Sequence, residues 1–153
     1  MLTVWRITTA PFVRSAFSGD SARLYGGRWN PKGVPMVCTA ANRSLALLEM
    51  LVQDRPLRAR YTMIEARIPS GVTIDRVRIG ELPADWRDSD AGGKLQAIGA
   101  EWARKRSAAV LAVPSALVPP ELIYLLTPLH ADFKRIKIGE PSTLATDLRL
   151  VKR

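Results

Sequence analysis

Hydrophobic and polar residues alternate along several short segments of the chain, in the pattern of half-buried β-strands. The segment LTVWRIT near the start has strand character, and Arg6 is its one charged member. RYTMIEARIP alternates in the same way, and VTIDRVRI follows it after a Ser70-Gly71 turn, so we expect these two segments to be neighbouring strands. Three further segments predict strands: MVCTA, the fully apolar AVLAVP, and an edge strand in RIKIGE, while LIYLLTP is expected to be another short strand or a turn.

Two segments carry apolar residues at the spacing of helices. RSLALLEMLVQ follows Asn42, which favours the N-cap position, and Pro56 is expected to close this helix. KLQAIGAEWARKRSA has the same spacing, and the polar stretch PADWRDSDAGG predicts a surface loop over residues 83–93. The pattern therefore predicts an α+β fold, with one compact domain over residues 1–153 in which helices flank a mixed or antiparallel central sheet.

The composition is that of a globular domain with a hydrophobic core. Hydrophobic residues make up 47% of the 153 positions. No apolar run approaches the roughly 20 residues that cross a bilayer, and no signal-peptide pattern opens the chain, so we expect a cytoplasmic protein. Because Cys38 is the one cysteine and His130 the one histidine, the sequence predicts neither an internal disulfide nor a metal site.

The formal net charge of +9 favours an anionic partner, which would be a nucleic acid, an anionic small molecule or an acidic protein. The basic residues are scattered, and only 7% of residues are aromatic, so the stacking surfaces of a single-strand binder are not evident. A non-enzymatic module that binds RNA or DNA through the basic clusters at 104–106 and 134–137 is the alternative function.

The turn-rich segment LYGGRWNPKGV at 24–34 contains an arginine that turn chemistry does not require. Glycine, asparagine and proline suit a hairpin, but Arg28 has no such role. Arg28 and Arg6 both lie in segments that we interpret as ordered, where a planar guanidinium can bind a pyrophosphate through two hydrogen bonds. The alternative for Arg28 is a structural role, in which it neutralises Glu49 or an aspartate.

Glu49 and Ser115 are further candidates for chemistry. Steps of three and four residues place Glu49 on a helical stripe that is expected to face the core, together with Leu45, Leu48 and Val52. A desolvated carboxylate is costly unless it is paired or has a chemical role; the alternative is a glutamate that reaches water or pairs with an arginine. Ser115 follows the buried AVLAVP run, where a strand end would present its hydroxyl to a cleft, or it is a turn former. A single histidine disfavours a Ser-His-Asp hydrolase.

Five motifs follow one another along the chain: WRI at 5–7, LYGGRWNPKGVPMVCTA at 24–40, SLALLE at 44–49, LAVPSALVPPE and TPLHADF. Together they resemble the RES domain family, the toxin half of Xre-RES (ParT-like, type II) toxin–antitoxin modules. The resemblance covers most of the chain. It implies a fold similar to ADP-ribosyltransferases, and a bacterial, cytoplasmic toxin that splits the nicotinamide–ribose bond of NAD and passes ADP-ribose to water, phosphate or a protein. It also implies a cognate Xre-type antitoxin with a helix-turn-helix region, and no direct binding to nucleic acid or membrane.

The Arg, Glu and Ser in the family's name correspond to Arg28, Glu49 and Ser115. The resemblance implies that Glu49 stabilises the positive charge that the ribose gains as the glycosidic bond breaks. It further implies that Arg6 and Arg28 hold the pyrophosphate, and that Ser115 orients the nicotinamide ribose. Nicotinamide leaves as a neutral group, which explains how a site almost without histidine can work.

Aromatic contacts and three departures complete the implied site. Tyr25 or Trp29 is expected to stack on a ring of the ligand. Cys38 stands among the ligand-binding positions where the family commonly has a tyrosine. Ile123 and Thr127 stand where the family often carries asparagines. A toxin-like domain that binds NAD without turnover, through the changes at Cys38 and Ile123, is a third possibility.

Overall fold

A single sheet forms the centre of the computed structural model, which describes residues 1–54, 56–89 and 92–151. The strands are β1 (Leu2–Thr8), β2 (Val37–Ala40), β3 (Arg60–Ile68), β4 (Ile74–Arg76), β5 (Val110–Pro114), β6 (Leu122–Leu126), β7 (Lys137–Ile138) and β8 (Ser142–Ala145). Their order is β4-β5-β6-β2-β1-β3-β7, and β8 also pairs with β3. β4 and β5 are parallel and the other pairs are antiparallel, which confirms the predicted α+β fold with a mixed sheet.

Four α-helices accompany the strands in the described part of the chain: α1 (Asp20–Tyr25), α2 (Arg43–Gln53), α3 (Gly92–Lys105) and α4 (Leu148–Val151). α2 begins as predicted, because the Asn42 side chain accepts a hydrogen bond from the Leu45 amide at 2.8 Å. It ends at Gln53, three residues before Pro56. The sequence pattern had not indicated α1, β8 or α4.

β3 and β4 are not neighbours, so the pairing expected across the Ser70-Gly71 turn is wrong. β1 pairs with β3 along the register Leu2–Ile68 to Thr8–Thr62, and β7 and β8 take the other edge of β3. β4 lies at the far end of the sheet, parallel to β5. Alternation fixes which side chains of a strand share a face, but it does not choose the partner strand.

Two hydrophobic clusters cover the two faces of the sheet. The buried β5 illustrates this, because Leu111 and Val113 belong to one cluster and Val110 and Ala112 to the other. The larger cluster also takes in residues of α2 and α3, namely Leu45, Ala46, Leu95 and Trp102. No helix among the described residues is long and apolar enough to cross a bilayer.

The segment over residues 83–93 is not entirely a surface loop. Trp86 is only 5% exposed and packs into the larger cluster. Gly92 and Gly93 already belong to α3. Asp90 and Ala91, which fall within the predicted loop, lie outside the described residues. A tryptophan within a polar stretch is a hydrophobic anchor, and the periodicity did not reveal it because it stands alone.

Candidate active site

A cleft of about 510 Å³ lies over β1, β2 and β6, between α2 and the segment that follows α1. Clefts that bind small ligands typically measure about 300–1,000 Å³. Most of the residues singled out in the sequence line it: Arg6, Tyr25, Arg28, Trp29, Cys38 and Glu49. These six residues come from four separate segments of the chain and meet at one cavity.

Glu49 faces this cleft because α2 packs on the sheet through a different side than expected. Leu45 is 2% exposed, whereas Leu48 is 37% and Val52 is 46% exposed. The expectation that the stripe carrying Glu49 faces the core is therefore wrong beyond Leu45. The cleft opens along this side of α2, so the stripe passes from the core to the cleft wall within two helical turns, and Val52 lines the cleft beside Glu49.

Ser115 holds the Glu49 carboxylate. The Ser115 hydroxyl donates to Glu49 Oε1 at 2.8 Å, and its oxygen accepts from the amides of Leu117 and Val118, both at 3.1 Å. A hydroxyl has one hydrogen and two lone pairs, so these three contacts use its full capacity. The arrangement fixes one oxygen of a carboxylate whose residue lines the cleft.

Ser115 therefore differs from the expectation that its hydroxyl is presented to the cleft. Its side chain is fully buried, while the residues on either side, Pro114 and Ala116, line the cavity. A hydroxyl with every hydrogen-bonding position filled by protein cannot also bind a ribose. The geometry instead makes Ser115 a residue that positions Glu49.

Arg28 lies in the cleft wall, and its partners are backbone carbonyls. Nη1 donates to Trp86 O at 2.9 Å and to Asp88 O at 3.4 Å. Within the described part of the chain it forms no ion pair with Glu49 or with an aspartate. The described residues therefore give no support to the alternative that Arg28 neutralises a carboxylate.

Arg6 and Cys38 form the floor of the cleft. Arg6 Nη1 donates to the Cys38 carbonyl at 3.0 Å, while Arg6 Nε is buried without a hydrogen-bond partner. Burial lowers the pKa of the Arg6 guanidinium from its usual value, and Cys38 partly opposes this. Cys38 opens to the cleft, but enclosure among its walls raises the pKa of the thiol to about 11. The thiol therefore stays protonated at neutral pH and is a poor nucleophile.

The two aromatic candidates differ in access. Tyr25 ends α1 and is 76% exposed at the mouth of the cleft. Trp29 is only 5% exposed and belongs to the core, which leaves little of its ring for a ligand. α3 packs directly against its backbone, since a Cβ on Gly99 would overlap the Trp29 carbonyl. Tyr25 is therefore the ring that can stack on a ligand, and stacking by Trp29 is not supported.

Two polar residues that the sequence had not singled out for a role in the site hold the turn that carries Arg28. Asn30 is buried, and its Nδ2 donates to the carbonyls of Ala22 at 2.8 Å and Val34 at 3.1 Å. Gln96 of α3 donates to the Gly27 carbonyl at 2.8 Å. The turn-forming composition had indicated Asn30, but a lone glutamine on a helix carries no such signal.

The remaining departures from the family pattern lie in different places. Ile123 lines the cleft. Thr127 is fully buried, and its hydroxyl accepts from the Leu129 amide at 3.3 Å. Cys38 and Ile123 are therefore the two departures that line the cleft.

A comparison with known protein families identifies the family of the chain that forms this cleft. A model of the RES domain matches residues 3–148. The chain belongs to the RES domain family. A Photorhabdus laumondii protein named Toxin Res is 38% identical and spans 99% of this chain and 98% of its own length. The Prs ADP-ribosylating toxin of a Sphingobium species is 36% identical, with 97% and 96% covered.

The fold of this RES domain also matches a solved structure. A chain in the crystal structure of the M. tuberculosis MbcT-MbcA toxin-antitoxin complex superposes with a TM-score of 0.77 at 20% sequence identity. The match covers 99% of this chain and 90% of that chain. At this level of identity the match shows a shared fold.

A metal site needs several ligand side chains close together. Among residues 1–54, 56–89 and 92–151, the structure brings no group of three or more His, Cys, Asp or Glu side chains together to hold a metal ion. The charged groups that line the cleft among the residues placed in the structure are one carboxylate, Glu49, and two guanidinium groups, Arg6 and Arg28. This is a set suited to an organic ligand that carries both a developing positive charge and an anionic portion.

Proposed function

We propose that this RES domain is the toxin of a toxin–antitoxin module and that its activity is to consume NAD by splitting the nicotinamide–ribose bond. The observation that carries the proposal is the Glu49 carboxylate, held by Ser115 on the wall of a cleft that Arg6 and Arg28 also line. The relatives named Toxin Res and Prs ADP-ribosylating toxin support it.

Glu49 supplies the electrostatic part of the chemistry. When the C1′–N bond breaks, nicotinamide takes the bonding electron pair and leaves neutral, and the ribose becomes an oxocarbenium-like cation. A carboxylate already fixed beside the ribose stabilises this charge without having to reorganise. Glu49 has this property because the Ser115 hydroxyl holds Oε1.

Arg6 and Arg28 bind the pyrophosphate in this proposal. In the described part of the chain each contacts protein through Nη1, which leaves Nη2 of each to donate to a phosphate oxygen. Guanidinium groups suit phosphate because their N–H groups lie in one plane and donate in parallel. Tyr25, exposed at the cleft mouth, stacks on a ring of the dinucleotide.

The acceptor completes the reaction. An oxygen of water, of phosphate or of a protein side chain forms the new bond to C1′ and gives up its proton, which yields free or transferred ADP-ribose. The mouth of the cleft, where the exposed Tyr25 lies, is open to solvent, so small and large acceptors both have a route to C1′.

The partner follows from the same proposal. A toxin that destroys NAD must be held inactive in the bacterial cytoplasm, where NAD is available, and we propose a cognate Xre-type antitoxin with a helix-turn-helix DNA-binding region. The structural neighbour from M. tuberculosis, which was crystallised as a toxin-antitoxin complex, supports an antitoxin as partner.

Incubation of the purified chain with NAD, in phosphate and in phosphate-free buffer, tests the proposal when the products are identified by mass. We expect loss of NAD and release of nicotinamide, with the mass of the second product naming the acceptor. Glu49→Gln is expected to slow the loss about a hundredfold or more, because a neutral amide does not stabilise the cation.

Glu65→Gln is the matched control, since Glu65 lies on β3 and contacts Arg67 at 2.9 Å. It is expected to leave the rate unchanged. If NAD persists at stoichiometric protein, with phosphate and with a cell lysate added, the proposed function is wrong. An equal fall in the rate of NAD loss in Glu49→Gln and Glu65→Gln would show that Glu49 has no specific role in the reaction.

A further inference from the structure

Three consecutive residues of the loop before α3 contact both sides of the cleft. The carbonyls of Trp86 and Asp88 accept hydrogen bonds from Nη1 of Arg28 at 2.9 and 3.4 Å. The side chain of the residue between them, Arg87, contacts a different segment, because its Nε donates to the Ala116 carbonyl at 2.8 Å. Residues 86–88 thus join the turn that carries Arg28 to the turn that follows β5.

This segment is itself held in place. The Trp86 side chain is buried in the larger hydrophobic cluster, and its amide donates to the Pro83 carbonyl at 3.1 Å. The Asp88 amide donates to the Asp85 carbonyl at 2.9 Å. Two successive turns around a buried indole make residues 86–88 a fixed bridge, although Arg87 itself lies on the surface.

The turn that Arg87 contacts is the one that positions the carboxylate. The Ala116 carbonyl lies between Ser115, whose hydroxyl donates to Glu49, and Leu117, whose amide donates to the Ser115 oxygen. Val118 supplies the second amide. The Ala116 carbonyl and the Leu117 N–H belong to the same peptide group, so a hydrogen bond that fixes this group restricts the orientation of the Ser115 hydroxyl, and through it that of Glu49.

We propose that Arg87 is a positioning residue of the active site, and that residues 86–88 form a strut that sets the separation of Arg28 from the Glu49–Ser115 pair. The inference rests on the proposed function for its catalytic consequence. Arg87 touches neither substrate nor Glu49, and acts through the Ser115 turn. The strut also gives a role to the Arg28 contacts, because the two carbonyls hold Nη1 and so orient the rest of the guanidinium.

The test compares Arg87→Ala, Arg87→Lys and the control Arg60→Ala in the full chain. Arg60 is an exposed arginine of β3, so its removal changes the net charge by the same amount. Amide hydrogen exchange is measured by NMR at Leu117 and Val118, the two amides that depend on the Ser115 turn. We expect these two amides to exchange about fivefold faster in Arg87→Ala, because the loss of one hydrogen bond removes about 1 kcal/mol of stabilisation from the turn. Wild-type rates are expected in Arg60→Ala.

NAD turnover is measured on the same samples. Arg87→Ala is expected to lower kcat about fivefold with a smaller change in KM, because the strut acts on the carboxylate that meets the transition state. Arg87→Lys should restore most of kcat, since an ammonium can donate to the Ala116 carbonyl.

The two readouts separate the inference from the proposed function. If the wild-type chain leaves NAD intact, the proposed function fails, and the exchange rates alone still decide whether Arg87 fixes the turn. Unchanged exchange at Leu117 and Val118 in Arg87→Ala overturns the strut whatever the activity. Equal losses of kcat in Arg87→Ala and Arg60→Ala overturn it too, because they would assign the effect to net charge.

Discussion

Ser115 is the residue whose removal tests most directly how Glu49 is held. We expect Ser115→Ala to lower kcat for NAD about tenfold to a hundredfold with a smaller change in KM. The hydrogen bond to a charged group contributes about 1.5–3 kcal/mol, and Glu49 acts on charge that develops only in the transition state. Steady-state rates of nicotinamide release at varied NAD give both constants.

Ser107→Ala is a matched control for this variant. Its hydroxyl also donates to a carboxylate, that of Asp75, at 2.5 Å, and the pair lies outside the cleft lining. Because Ser115→Ala also leaves two amides without an acceptor, rates are compared below the unfolding transition of each variant. A kcat for Ser115→Ala that matches Ser107→Ala would contradict a positioning role.

The partners of the site residues show where sequence reasoning reached its limit. Residue type and motif order pointed to Arg28, Glu49 and Ser115 as members of one site, and the structure brings them to one cleft and its wall. They did not reveal that Arg28 binds carbonyls 58 and 60 residues away. Every residue except proline carries the same peptide group, so a backbone acceptor leaves no signature in the sequence.

α2, which carries Glu49, is anchored at both ends by side chains. At its start the Asn42 amide group donates to Glu121 at 2.8 Å, while its oxygen caps the helix. At its end Asp54 accepts from the Tyr61 hydroxyl at 2.6 Å and from Arg58 at 3.0 Å. Both anchors join the helix that carries Glu49 to neighbouring parts of the fold.

The Tyr61 anchor predicts a stability effect that depends on pH. The Tyr61 hydroxyl, with help from Arg58, holds the pKa of Asp54 below its usual value. A carboxyl with a lowered pKa stabilises the folded state above its unfolded pKa of about 3.9, and this contribution is lost as pH falls. Tyr61→Phe should therefore lower the free energy of unfolding by about 1–2 kcal/mol at pH 7 and by clearly less at pH 3.

Urea unfolding at the two pH values measures this difference. Tyr25→Phe is the control, because Tyr25 is 76% exposed and loses no buried partner. An equal deficit at pH 7 and pH 3 would show that the tyrosine hydroxyl stabilises the fold without the Asp54 carboxylate. A free energy of unfolding equal to that of the wild type at both pH values would show that the Tyr61–Asp54 hydrogen bond does not stabilise the fold.

The elements that sequence reasoning found and missed differ in length and periodicity. Long periodic segments such as β3 and α2 were predicted within a residue or two of their observed ends. α1 spans only six residues and is followed by Gly26, which has a φ of +73° and lines the cleft. Helices that short have almost no periodicity of their own and form through tertiary packing. The strand partner of β4 was missed for the related reason that pairing is a property of the whole sheet.

At the scale of the whole molecule, the net charge is +9, but basic residues in both clusters lie close to carboxylates. In the cluster at 104–106, Arg104 contacts Glu101 at 2.6 Å. In the cluster at 134–137, Arg135 lies 3.7 Å from Asp132. Each cluster is thus partly neutralised by its own neighbours. Such a surface attracts anions in general and offers fewer uncompensated charges to a phosphate backbone than the count of basic residues suggests.

Binding to nucleic acid tests whether this charge has a function separate from the cleft. Proteins that bind DNA non-specifically do so with Kd values of about 10⁻⁴ to 10⁻⁶ M at physiological salt, through contacts that each release counterions. With part of each cluster paired to carboxylates, we expect the chain to fall at or beyond the weak end of this range. Filter binding of a random duplex and of a single-stranded RNA, at 50 and 200 mM salt, measures it.

Lys105→Glu and Lys134→Glu place one opposing charge in each cluster and serve as the paired variants. Both are expected to leave NAD consumption unchanged, since neither lysine lines the cleft. A different result would favour a nucleic-acid-binding module. The wild-type chain would then bind nucleic acid with submicromolar Kd, the affinity would fall steeply with salt, and it would be lost in the two lysine variants and kept in Glu49→Gln. Because the Glu49 variant changes the cleft and the lysine variants change the surface, a single set of proteins assigns the activity to one or the other.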